Sequence, residues 1–127
     1  MADHPTAREI IDDAVERTGL SELGDDWFLA PLEAWAEDLA QSNLTERGRG
    51  FMRSLAVRDV ARRLRVLDTL RARPEIADVP LPPIVYITGL ERSGTTLLHN
   101  LMALRADARA LLRWELMEPV FVIDSRR

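Results

Sequence analysis

Pro83-Ile84-Val85-Tyr86-Ile87-Thr88-Gly89-Leu90-Glu91-Arg92-Ser93-Gly94-Thr95-Thr96-Leu97-Leu98-His99 is the stretch on which the reading of this chain turns. Ile84 to Ile87 form a short apolar run of β-branched and aromatic residues, the pattern of a parallel strand buried on both faces. Gly89 and Gly94 bracket a turn in which the backbone can fold tightly against a ligand. From Thr95 onward Leu97, Leu98, Leu101 and Met102 recur at helical spacing. Strand, glycine loop and helix start together predict a phosphate cradle. Free backbone N–H groups and about half a positive charge at a helix N-terminus converge there on one anion.

The spacing Gly89-x4-Gly94-Thr95-Thr96 is that of a P-loop with one change. Thr95 stands where a nucleotide-hydrolysing P-loop carries lysine, and a cation, Arg92, sits inside the loop instead. This loop resembles the 5′-phosphosulfate-binding loop of sulfotransferases that use 3′-phosphoadenosine 5′-phosphosulfate (PAPS), where a Lys or Arg precedes Ser-Gly-Thr-Thr. Pro-Ile-Val before it, Leu-Leu-His after it and Arg113-Trp114-Glu115 further on are similar to the bacterial branch of that family. The resemblance runs from about Leu44 to Pro119 and is most specific between Ile84 and His99. One position departs from it: Glu91 stands where the family usually has proline. A carboxylate beside a dianionic phosphate costs binding energy unless it points outward or pairs with an arginine.

The resemblance implies an α/β fold, with residues 76–127 as the P-loop-like start of a parallel-sheet domain and the phosphosulfate loop at 88–96. Residues 1–75 form a helical region ahead of it. It also implies PAPS as co-substrate, no metal, and a small-molecule acceptor carrying a hydroxyl or amine. Gly89, Arg92, Ser93, Gly94, Thr95 and Thr96 become the donor-binding residues, and Arg92 the cation aimed at the leaving phosphate. Glu115 is the first candidate for the acceptor's base and His99 the second. An ion-paired glutamate near Arg113 and a surface histidine are the structural alternatives at those two positions. Complete relatives continue well beyond this length, so the resemblance implies an incomplete domain, for which a second copy of the chain is one candidate partner.

Two other function classes stay open at this point. Val120 to Asp124 is an apolar run ending in aspartate, as a magnesium-holding strand would be, and Thr96 aligns with a magnesium-binding hydroxyl. These features fit a P-loop kinase or nucleotide hydrolase, against which the missing lysine counts. A non-catalytic fragment serving only in interaction is the third class.

Composition narrows the field. The 127 residues are one domain's worth of chain. The absence of cysteine excludes a disulfide framework, a thiol nucleophile and a thiolate metal site. Two histidines, His4 and His99, are too few for a histidine-rich metal centre. A net charge of −4 argues against general nucleic-acid binding. No apolar run approaches the ~20 residues of a membrane span, and cytoplasm is the expected location. The first third is acidic and the middle basic, through Arg53, Arg58, Arg62, Arg63 and Arg65.

Local signals predict the remaining elements. Thr6-x-x-Glu9 is a capping box, and Ile10, Ile11, Ala14 and Val15 share a face before Gly19 ends the helix. A second helix is predicted over Pro31 to Gln41. Asn43-x-x-Glu46 is a second capping box, opening a helix to about Arg71, loosened near Gly48 and Gly50, with Val57, Val60, Ala61, Leu64 and Leu67 inward. Trp27, Phe28 and Trp35 are assigned to the core rather than to a ligand-stacking box. Pro74, Pro80, Pro82 and Pro83 predict an extended linker. Short strands are expected at Ala110 to Trp114 and at Val120 to Asp124.

Overall fold

The structure, a computed structural model, describes residues 5–120. Two compact units divide them, one within Met1–Ala77 and one over Asp78–Pro119.

The first unit is a helical assembly of α1 (Ala7–Thr18), α2 (Leu29–Gln41) and α3 (Glu46–Ala72). The sequence starts α1 by a reciprocal cap. Thr6 Oγ1 accepts from the Glu9 N–H at 3.2 Å, and the Thr6 N–H donates to Glu9 Oε2 at 2.7 Å. The backbone bond from Thr6, helped by its hydroxyl, holds the Glu9 carboxyl below the usual carboxylate range. Gly19 ends the helix at φ 68°, donating its N–H to the Val15 carbonyl at 2.8 Å.

The core lies where α1 and α3 pack together. Ile10 and Ala14 meet Val57, Val60, Ala61 and Leu64, whose spacing in α3 puts them on one stripe. Ile10, Val57 and Leu64 are almost wholly buried. Arg53 bridges from α3 to Asp13 at 2.9 Å across this packing. The α1–α2 connection is latched onto α3 by Arg63, whose Nε donates to the Leu23 carbonyl at 2.8 Å and Nη2 to the Asp25 carbonyl at 3.0 Å. Gly24 makes the close approach workable, because a Cβ there would stand 3.1 Å from Leu67 Cδ1 at a φ of 67°.

The second unit carries α4 (Thr95–Met102) and α5 (Arg113–Met117), reached through a short 3-10 turn, Pro74–Asp78, and an extended segment. None of its described side chains is buried.

Several expectations are corrected. Among the described residues there is no strand and no sheet, so the α/β parallel-sheet assignment does not hold. Ile84 to Ile87 lie outside any helix and are assigned to no strand, and Ile84, Val85 and Tyr86 are exposed, Tyr86 by 81%. A strand is defined by its hydrogen-bonded neighbour, and an apolar β-branched run supplies only one half of that pairing. Ala110 to Trp114 is not a strand either, since α5 begins at Arg113. The expected strand at Val120 to Asp124 lies outside the described residues from position 121 onward.

Within the helices, α2 starts two residues early, on an uncapped Phe28. The N-cap of α3 is Thr45 rather than Asn43, its hydroxyl accepting from the Gly48 N–H at 3.1 Å, and α3 runs unbroken past Gly50. Trp27 is 68% exposed, so its assignment to the core is corrected, whereas Trp35 packs against the core as expected. No helix among the described residues is long and apolar enough to cross a membrane.

Candidate functional site: the glycine loop at the start of α4

The loop from Gly89 to Thr95 closes by a turn in which the Ser93 N–H donates to the Leu90 carbonyl at 3.2 Å. Two residues in it adopt left-handed backbone: Arg92 at φ 64° and Gly94 at φ 85°, ψ 15°. Glycine accepts that conformation freely, but arginine does so at a cost of about 1–2 kcal/mol. Among the described residues Arg92 is the one non-glycine with positive φ. Backbone strain of this kind clusters at ligand clamps. Left-handed residues interleaved in a turn also bring successive N–H groups to one side, which is the geometry of an anion nest.

The two glycines serve different ends. Gly94 is the N-cap of α4, its carbonyl accepting from the Leu98 N–H at 3.0 Å, and a Cβ there would meet nothing within 4 Å. Its requirement is conformational. Gly89 has no positive φ, but a Cβ on it would stand 2.5 Å from Ser93 Oγ and 3.1 Å from Thr95 Cγ2. Its requirement is space. The loop is therefore folded back so that Gly89 lies against Ser93 and Thr95.

No side chain caps α4. The N–H groups of its first turn, at Thr95, Thr96 and Leu97, are thus open to an anion, reinforced by the helix dipole. Thr95 is half-buried and the rest of the loop exposed. The Arg92 guanidinium and the Glu91 carboxylate have no partner among the described residues, so Glu91 does not neutralise Arg92 by an ion pair. His99 is exposed one turn beyond Thr95.

Glu115 is the best anchored of the candidates. Its Oε1 accepts from Arg109 Nη2 at 2.6 Å and its Oε2 from the Leu112 N–H at 2.7 Å. The first of these is an ion pair, and the second closes the start of α5. The partner is Arg109 rather than the neighbouring Arg113. The spacing Leu112-x-x-Glu115, a helix-start signature in its acidic half, is the signal that could have located α5 from sequence. Sequence reasoning also passed over Arg105, which forms a fork with Asp107: Nε to Oδ1 at 2.9 Å and Nη2 to Oδ2 at 2.6 Å. That fork holds the Asp107 carboxyl below its usual range.

No family model matches the sequence, and no curated protein does. The structure aligns with the crystal structure of a sulfotransferase from Mycobacterium avium at a TM-score of 0.81 and 29% sequence identity. The resemblance is to the N-terminal portion of a sulfotransferase. It covers 94% of this chain and 31% of that one. The fold comparison thus points to the same family as the loop motif, although the strand expected from that motif is not formed here.

Proposed function

We propose that this chain carries the donor-binding loop of a PAPS-dependent sulfotransferase, transferring a sulfuryl group to a hydroxyl or amine of a small molecule. The observation that carries the proposal is the glycine loop: a strained arginine, a folded-back Gly89 and an uncapped helix start, all within eight residues of chain, Gly89 to Thr96. Sulfotransferase is also the activity named for the structural neighbour.

In the reaction the acceptor oxygen or nitrogen forms a bond to sulfur while the bond from sulfur to the bridging oxygen breaks. The electron pair of that bond passes to the 5′-phosphate oxygen. Charge grows there as the phosphate leaves, so donors fixed beforehand around that oxygen lower the barrier. The N–H groups of Gly94 to Leu97 hold the 5′-phosphate, while that of Ser93 closes the loop onto the Leu90 carbonyl, and the Thr95 and Thr96 hydroxyls add further donors. Arg92, unpaired and inside the loop, meets the developing charge. The arrangement fits a phosphate because every one of these groups is a donor or a cation.

Glu115 takes the acceptor's proton. A carboxylate has about four lone-pair sites, and the bonds to Arg109 and Leu112 use one on each oxygen. Replacing Glu115 with glutamine keeps a carbonyl acceptor but removes the base, and turnover should fall roughly 10²-fold with little change in donor affinity. Unchanged turnover would assign Glu115 to the start of α5 alone.

Calorimetry with the chain tests donor binding. Adenosine 3′,5′-bisphosphate should bind without metal and lose at least tenfold in affinity on Arg92→Met, a charge-assisted hydrogen bond contributing about 1.5–3 kcal/mol. Binding of ATP only with magnesium, or adenosine bisphosphate binding indifferent to Arg92→Met, would overturn the proposal.

A further inference from the structure

The aromatic cluster of the first unit takes no part in the glycine loop's chemistry, and it lines a groove of about 540 Å³. Its walls come from the start of α2 and the middle of α3: Trp27, Phe28, Trp35 and Met52, with Asp59 and Arg63 as the polar side chains. Small-molecule sites commonly fall between about 300 and 1,000 Å³, apolar with a few fixed polar groups. Trp27 and Phe28 stand edge to face, ring centroids 6.4 Å apart and planes at 82°. The Arg63 guanidinium lies over both rings, so a ligand in the groove meets aromatic surface beside a cation.

Charge distinguishes the ligand class. Arg63 is locked in place by the Leu23 and Asp25 carbonyls and lies over the rings, its guanidinium carbon 4.4 Å from the Phe28 centroid and 5.3 Å from that of Trp27. Both its protein acceptors are neutral carbonyls, and it has no carboxylate partner among the described residues. Its Nη1 donors stay available. Asp59, the acidic side chain of the lining, is already shared by Arg62 at 3.1 Å and Arg58 at 3.6 Å. The groove thus combines apolar aromatic walls with one uncompensated, immobilised cation.

We propose that this groove binds a small aromatic monoanion, an arene of two or three fused rings carrying one carboxylate. The rings lie against Trp27, Trp35 and Met52, and the carboxylate accepts from Arg63 Nη1. Arg63 is preorganised by its two carbonyl bonds, so little side-chain entropy is lost on binding. The site lies wholly within the first unit, and its existence does not depend on the sulfotransferase proposal.

The three tryptophans supply the readout, because Trp27 and Trp35 line the groove and Trp114 belongs to the second unit. In a nitrogen-15 titration of the chain with 2-naphthoate, the indole N–H signals of Trp27 and Trp35 should shift saturably while that of Trp114 stays. The neutral analogue 2-naphthylmethanol should bind at least tenfold more weakly, and Arg63→Gln should erase that difference. Because Arg63→Gln also loosens the latch on the α1–α2 connection, Trp27→Ala provides a second variant. It removes a largely exposed ring, and should abolish binding of both probes with unchanged helical circular dichroism. Equal affinity for naphthoate and the alcohol would overturn the proposal. So would movement of all three indoles together, or shifts of Trp27 and Trp35 on raising protein concentration alone, which would make the groove a contact between copies of the chain.

Discussion

Gly89→Ala, with its partner change Ser93→Ala, examines whether the loop's folded-back form is what binds an anion. Gly89 has no positive φ, so alanine is permitted by the backbone and the only obstacle is contact. A Cβ would stand 2.5 Å from Ser93 Oγ, which is 3.4 − 2.5 = 0.9 Å closer than the start of ordinary contact. Rotating Ser93 away does not relieve everything, since Thr95 Cγ2 stands 3.1 Å from the same point. Forcing an extra methyl into a packed site costs about 1–3 kcal/mol. Borne by the binding-competent loop, that cost weakens an anion about 5- to 150-fold. The double variant removes the Ser93 hydroxyl and leaves only the milder contact with Thr95. It should therefore bind better than the sum of the two single changes predicts, by about 0.5 kcal/mol or more of coupling. The assay is calorimetric titration with inorganic pyrophosphate of wild type, both single variants and the double variant. Helical circular dichroism should stay unchanged, because no side chain of this unit is buried. Strictly additive effects, or full affinity in Gly89→Ala alone, would refute the reasoning.

Three further outcomes follow from other features. Gly94→Ala should weaken pyrophosphate by about 1–2 kcal/mol, because its φ of 85° strains alanine, whereas Gly94→Asn should lose much less. Calorimetry of the two variants decides. Leu64→Ala empties the centre of the α1–α3 packing and should cost about 2–5 kcal/mol in urea denaturation, with pyrophosphate binding by folded protein unaffected. The cap on α1 should fail in acid: the Glu9 carboxyl is held low by Thr6, so its contribution is present above the ordinary carboxylate pKa of about 4.3 and lost as pH falls through the lowered value. Comparing wild type with Glu9→Gln in a pH series of urea melts should show a gap at pH 7 that closes in acid. A gap independent of pH would contradict it.

What the sequence shows plainly is local. The Thr6 and Glu9 pair, Gly19, and the stripe of Val57, Val60, Ala61 and Leu64 each act within a few residues, and the structure places each as its spacing predicts. The glycine spacing likewise marks the loop, but not which glycine needs space and which needs a left-handed backbone, since that depends on how Ser93 folds back. The strand at Ile84 to Ile87 fails for a non-local reason, because β-propensity describes a segment and a sheet requires a neighbour. Trp27 is exposed beside Arg63, a residue far along the chain whose anchoring carbonyls at Leu23 and Asp25 no periodicity reveals. Asn43 and Thr45 compete as caps of one helix, and the choice rests on which hydroxyl or amide reaches the open N–H groups.

Backbone amide mapping with adenosine 3′,5′-bisphosphate tests the central claim most directly. On a nitrogen-15-labelled chain, the amide signals of Ser93, Gly94, Thr95, Thr96 and Leu97 should shift together along one saturable curve, and Arg92→Gly should flatten that curve while leaving the α1–α3 signals untouched. Titration that leaves those five amides in place, or shifts that concentrate in the first unit, would contradict the assignment of the glycine loop as the donor site.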